Sequence, residues 1–121
     1  MKYVLLTADP AVVAATDRAF FSDDEVIVTD DKAHALAECE GAELIFVDLI
    51  ATLDDPHKIA GYEAFAHMKM EHPVAAETPL VLIGPPEDYD LDSMVGFPGF
   101  VFAHLPRPIT NKLLRRATTW V

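Results

Sequence analysis

Three charged residues stand where apolar runs end. Asp9 follows Tyr3-Val4-Leu5-Leu6 and Thr7-Ala8, Asp48 follows Leu44-Ile45-Phe46-Val47, and Arg107 follows Phe100–Leu105 and Pro106. A fourth apolar run, Pro79 to Gly84, ends on a residue with no side chain at all. A carboxylate in such a place has two ordinary uses. It can cap the next turn, or it can face a ligand, because open α/β sheets bind ligands outside the carboxyl ends of their strands. Two carboxylates brought close together repel unless a cation or a proton lies between them. Mg²⁺ suits such a place, since it takes a few carboxylate or carbonyl oxygens and keeps several waters.

The elements that would gather these residues can be read along the chain. Lys2–Thr7, Glu25–Thr29, Glu43–Leu49, Pro79–Gly84 and Phe100–Leu105 are short apolar runs of strand type. The third is apolar without interruption up to Asp48, which suits a central strand buried on both faces. Asp9-Pro10 reads as an N-cap followed by proline at the first helical position. The stripe Val12, Val13, Thr16, Phe20 and Phe21 extends that helix to Ser22. Asp30 or Asp31 caps a second helix through Ala33, Leu36 and Ala37, which Gly41 stops. A loop from Leu49 to His57 precedes a third helix, Lys58 to Glu71, with Ile59, Tyr62, Phe65, Ala66 and Met70 along it. His72-Pro73 ends it, because the residue before proline is pushed out of the α region. Pro85-Pro86 breaks the fourth strand, and Glu87 to Val95 has room for a short helix at most. The last helix, Thr110 to Trp120, puts Ile109, Leu113, Leu114, Ala117 and Trp120 on its inner face. Strands alternating with helices predict a parallel sheet with right-handed crossovers and helices on both faces. The fold class is α/β, a single doubly wound (βα)5 domain over residues 1–121.

Composition narrows the function. The chain has 121 residues, 9 Lys and Arg against 20 Asp and Glu, and a formal net charge of −11. All 20 acids lie within residues 1–92, and residues 93–121 hold only the bases Arg107, Lys112, Arg115 and Arg116. The acidic bulk argues against direct nucleic-acid binding, which needs a basic footprint. No apolar run approaches the ~20 residues that span a bilayer, and no secretory signal is visible at the N-terminus. Cys39 is alone, which fits a reducing cytosol and a small buried hydrophobe. Asp88-Tyr89-Asp90-Leu91-Asp92 opens like a calcium loop, but Ser93 stands where the turn glycine belongs and Gly99 where the bidentate Glu belongs. His34, His57, His67, His72 and His104 lack ligand spacing. Neither Ser22 nor Ser93 has a nucleophile setting.

In this order, the residues of "YVLLTADP", "ELIFVDL", "GYEAF", "PLVLIG" and "HLPRP" resemble the receiver domain of bacterial two-component response regulators, over essentially the whole chain. The resemblance implies the strand order 2-1-3-4-5 and a cis peptide between Arg107 and Pro108. It also implies that Asp48 is the phosphoacceptor for a sensor histidine kinase. Mg²⁺ would be held by Asp9, Asp48 and the backbone carbonyl of Ile50. Ala8 replaces one of the family's two metal carboxylates, which implies a weakened metal site. Gly84 stands where the family has a Ser or Thr that bonds the phosphoryl group, and so has no hydroxyl to move toward it. Arg107 stands where the family has a Lys, keeps the charge in another geometry, and is able to pair with Asp48 in place of Mg²⁺. His104 stands where the family has an aromatic switch residue. The loop between Asp48 and Gly61 is longer than the family's and lacks its Met-Pro.

The reading that follows is an atypical receiver acting as a cytoplasmic protein-binding module in a two-component or phosphorelay pathway, with aspartyl phosphorylation weak or lost. A working phosphoacceptor and a small flavodoxin-like domain binding a nucleotide or another anion are the alternatives. Partners would be a sensor histidine kinase or another signalling protein. A homodimer would use the fifth strand and last helix, where Phe97, Phe100 and Phe102 lie near Lys112, Arg115 and Arg116.

Overall fold

The computed structural model describes residues 1–86, 88–90 and 101–120. Its strands are β1 Lys2–Leu6, β2 Glu25–Thr29, β3 Ala42–Asp48, β4 Leu80–Ile83 and β5 Val101–Leu105. They form one sheet in the order β2-β1-β3-β4-β5, and every neighbouring pair is parallel. The helices are α1 Pro10–Ala15, α2 Lys32–Ala37, α3 Ala60–Glu71 and α4 Asn111–Thr118. The expected topology is therefore the observed one.

Alternation along the strands divides the apolar residues between two layers. On one face Val4, Leu6, Ile45, Val47, Leu80 and Leu82 pack with Leu36 of α2 and with Tyr62 and Phe65 of α3. On the other, Tyr3, Leu5, Leu44, Phe46, Val81 and Ile83 pack with Val12 of α1 and with Leu114 and Ala117 of α4. Leu44 to Val47 are fully buried, as a strand covered by helices on both sides must be.

Capping sets where the helices start. Asp9, Asp31 and Thr110 each accept a backbone N–H of the helix they precede, with Pro10 at the start of α1. Gly41, which precedes β3, has the left-handed φ of 76° that glycine adopts without strain. Gly61 has a steric reason. A Cβ there would lie 2.6 Å from the Thr52 carbonyl oxygen and 2.8 Å from the Asp54 amide nitrogen, so only glycine lets α3 approach the loop after β3. That loop begins with a 3-10 turn, Leu49–Thr52, and Lys32 ties it to α2 through the Thr52 carbonyl and Asp54, both at 3.1 Å.

Helix ends and faces differ from expectation in three places. The first helix stops at Ala15 rather than Ser22. Arg18 then takes a positive φ of 65°, and the turn swings Phe20 onto Tyr3 while leaving Phe21 exposed. In α3 the buried step runs Tyr62, Phe65, Ala66, Lys69, which is the i, i+3, i+4, i+7 pattern of one helical face. Met70 falls one residue outside it and is exposed. The buried Lys69 ammonium donates to the Thr78 carbonyl at 2.7 Å, and burial pushes its pKa down. Trp120 lies beyond the end of α4 and is exposed rather than inward. The short helix expected between Glu87 and Val95 falls mostly outside the described residues.

Candidate functional site

The sheet order puts β1 beside β3, and the pairing of Leu6 with Val47 brings the next residues, Thr7 and Asp48, together at the carboxyl edge. Asp48 closes β3 and is completely buried. An ionised carboxylate there must be paired, because its desolvation is costly. Two groups meet it at the same oxygen. The Thr7 hydroxyl donates to Oδ2 at 2.8 Å, and Arg107 Nη2 donates to Oδ2 at 2.6 Å. Oδ1 is buried and has no hydrogen-bond partner among the described residues.

Asp9 completes the cluster from the other side. Its Oδ1 accepts the Ala11 N–H at 2.9 Å, as the cap of α1, and its Oδ2 lies 3.3 Å from Arg107 Nη2. Its own N–H donates to the Thr7 hydroxyl at 3.1 Å, so that hydroxyl passes a hydrogen bond from the β1–α1 turn to Asp48. Arg107 also donates through Nη1 to the carbonyl of Gly84. One guanidinium therefore ties together the ends of β1, β3 and β4, and only 12% of the Arg107 side chain is exposed. The Arg107–Pro108 peptide is cis, as expected.

Other predicted positions fall around this centre. Among the described residues a Cβ on Gly84 would touch only the Leu105 carbonyl, at 3.9 Å, so they leave room there for a larger side chain. Ala8 is exposed. His104 lies on β5 in register with Leu82, is exposed, and makes no hydrogen bond to Asp48, Gly84 or Arg107. The Ile50 carbonyl is half of the turn that follows β3 and accepts the Leu53 N–H at 3.4 Å. Cys39 is buried, and burial pushes its thiol pKa up, away from thiolate chemistry.

All the oxygens proposed for Mg²⁺ but one, the buried Asp48 Oδ1, are thus already engaged. Mg²⁺ demands near-octahedral oxygen coordination. Both Asp9 oxygens and Asp48 Oδ2 have N–H or O–H donors, and a guanidinium lies between the two carboxylates. Among the described residues no three His, Cys, Asp or Glu come together as a metal-holding group. As arranged here, these residues do not fit the ion.

The basic residues of the last helix form a separate feature. Lys112 and Arg115 join Asn111 and Arg18 around a cleft of about 360 Å³. Arg115 is not free within it. It donates to the carbonyls of Ala19 at 3.3 Å and Arg18 at 2.5 Å, and its guanidinium lies 5.3 Å from the centre of the Phe21 ring. Arg116 is exposed on α4, and Phe102 is half exposed on β5. Phe97 and Phe100 lie outside the described residues.

The residue that sequence reasoning missed is Thr7. The signal was present: in a sheet where β1 and β3 are neighbours, the residues that follow their apolar runs are Thr7 and Asp48.

No family model matches the chain and no curated protein matches it. Solved structures do. A CheY-like response regulator receiver domain protein from Methanospirillum hungatei JF-1 matches 98% of this chain and 91% of its own, with a TM-score of 0.71 and 13% identity. A putative response regulator from Chloroflexus aurantiacus J-10-fl matches 98% of this chain and 93% of its own, with a TM-score of 0.68 and 16% identity. The bacteriophytochrome response regulator AtBRR matches 98% and 89%, with a TM-score of 0.60 and 16% identity. At such identities the likeness defines a fold, and that fold is the CheY-like receiver fold of response regulators.

Proposed function

We propose that this chain is an atypical receiver that works as a cytoplasmic protein-binding module in a two-component or phosphorelay pathway, with phosphorylation of Asp48 weak or lost. The observation that carries the reading is the 2.6 Å pair between Arg107 and the fully buried Asp48. A nucleophilic carboxylate needs an accessible oxygen. Here Oδ2 is held by two donors and Oδ1 is buried. Gly84 supplies no hydroxyl for a phosphoryl group, although its surroundings leave space for one.

Partners are signalling proteins, a sensor histidine kinase among them, and the contact surface is built from β5 and α4 with Lys112, Arg115 and Arg116. Its support is charge: these bases stand on a chain of net charge −11, and Lys112 and Arg115 join Arg18 at one cleft. A second copy of the chain is the homodimer form of the same contact. The overall charge disfavours nucleic acid, and no helix among the described residues is long and apolar enough to cross a membrane. Nucleotide or anion binding at the carboxylate edge has no support, since Asp9 and Asp48 outnumber the single Arg107 there.

The test is incubation with Mg²⁺ and a small acyl phosphate, read by intact mass. The expected product is unmodified protein. Stoichiometric phosphorylation that disappears in Asp48→Asn would overturn the proposal in favour of a working phosphoacceptor.

A further inference from the structure

We propose that Arg107 is the resident cation of the carboxylate edge: its guanidinium holds the place between Asp9 and Asp48 that a divalent metal would need, so the intact protein has no saturable Mg²⁺ site and removing the guanidinium uncovers one. This rests on the receiver-like reading of the edge and adds what fills it.

Asp9 and Asp48 come from different elements and are far apart in sequence, yet both lie against the same nitrogen, at 3.3 Å and 2.6 Å. Without a cation between them these carboxylates would repel. Arg107 meets that need from within the chain. Its planar fork also reaches the Gly84 carbonyl, a third partner on another loop that a compact point charge would not serve at the same time. The Arg107 side chain is 12% exposed and that of Asp48 fully buried, so solvent screens the pair little. A metal entering beside it would place a second cation against the first. The buried, unpartnered Oδ1 of Asp48 is the second, independent observation. It is a carboxylate oxygen at this edge that Arg107 does not satisfy, and it would become a ligand once the guanidinium is gone.

Arg107→Met keeps an unbranched apolar stem and deletes the charge. The measurement is thermal unfolding of the full chain across a Mg²⁺ titration, with isothermal calorimetry of the same samples. Wild type is expected to show no saturable heat and no Mg²⁺-dependent shift. Arg107→Met is expected to unfold at lower temperature without metal and to regain about 4–8 °C, saturably, with it. Asp9→Asn in the same background should abolish that gain. Should Arg107→Met fail to fold, Arg107→Lys retains the charge, frees part of the fork's space and should show a smaller, saturable Mg²⁺ response. Saturable Mg²⁺ binding by wild type, or a folded Arg107→Met or Arg107→Lys without a Mg²⁺ response, would overturn the inference. Wild type that binds Mg²⁺ yet stays unphosphorylated would remove the resident cation and leave the proposed function intact.

Discussion

Arg107 and Arg115 both reach back across the fold, and they end in opposite settings. Arg107 ends among carboxylates. It is nearly enclosed, and the acids of two elements neutralise it. Arg115 ends among carbonyls. It holds the turn after α1 through Arg18 and Ala19 and lies over the Phe21 ring, with no carboxylate against it among the described residues. Carbonyls leave the charge of a guanidinium uncompensated, whereas carboxylates neutralise it. The carboxylate edge is therefore closed on itself, and the α4 cleft still presents charge outward. This is the reverse of what a receiver that signals through its aspartate would need, and it supports the proposal that recognition uses the basic helix.

The largest effect expected from breaking this contrast is at Arg107. Replacing it with Ala leaves Asp48 buried and unpaired, which should cost about 3–5 kcal/mol in a denaturant titration. Adding Asp48→Asn should recover part of that loss, because it removes the stranded charge. A loss within about 0.5 kcal/mol, the range of an ordinary surface substitution, would mean that the edge is not closed by this pair.

Thr7→Val comes next. It removes a hydrogen bond to a charged acceptor, of about 1.5–3 kcal/mol, and strands the Asp9 N–H that now donates to the hydroxyl. Stability should fall while any association through α4 stays unchanged, and sedimentation alongside denaturation reads both. Loss of association as well would show that the two regions are coupled.

The third effect separates two neighbouring arginines on α4. Arg115→Ala should cost about 1 kcal/mol, from its carbonyl bonds and its contact with the Phe21 ring. Arg116→Ala should stay within about 0.5 kcal/mol, as surface substitutions do. Charge reversal at Lys112 and Arg116 is therefore the clean probe of the partner surface, and it should weaken a dimer or complex in sedimentation without unfolding the chain. Unchanged association would take the bases out of recognition.

What could be read in advance follows a physical division. A parallel sheet covered on both faces and the meeting of Asp9, Asp48 and Arg107 at one edge come from short apolar runs and the residues that end them, whereas the strand order 2-1-3-4-5 comes from the receiver resemblance. The runs are local signals repeated along the chain. The pairing of Arg107 with Asp48 in place of Mg²⁺ was open to reading from the resemblance, in which Arg107 stands where the family has a Lys. Thr7 was missed although its signal was present, because that signal appears only once β1 and β3 are set side by side in register. The first helix was read too long, since Phe20 continues the apolar stripe although it reaches the core from a turn. Lys69 was passed over because its charge hides a long apolar stem that occupies the inner face of α3.

The smallest effect is at Gly84, and it decides which feature closes the carboxylate edge. Its amide donates to the Leu105 carbonyl at 3.1 Å and its carbonyl accepts from Arg107, so the backbone is fixed from both sides. Among the described residues the position of a Cβ is open, with one contact at 3.9 Å. Gly84→Ser should therefore fold normally, with a stability change within about 0.5 kcal/mol. It restores a hydroxyl at the end of β4 and leaves Arg107 on Asp48. If Arg107 closes the edge, this variant remains unphosphorylated by acyl phosphate and its His104 amide does not shift with a beryllium fluoride mimic of the phosphoryl group. Phosphorylation in Gly84→Ser alone would assign the closure to the missing hydroxyl and reduce Arg107 to a passive neighbour. Combined with Arg107→Lys and Ala8→Asp, the same serine should bring back measurable phosphoryl transfer, read by intact mass, because a metal carboxylate, the hydroxyl and a compact ammonium are then all present around an Asp48 that is already in place.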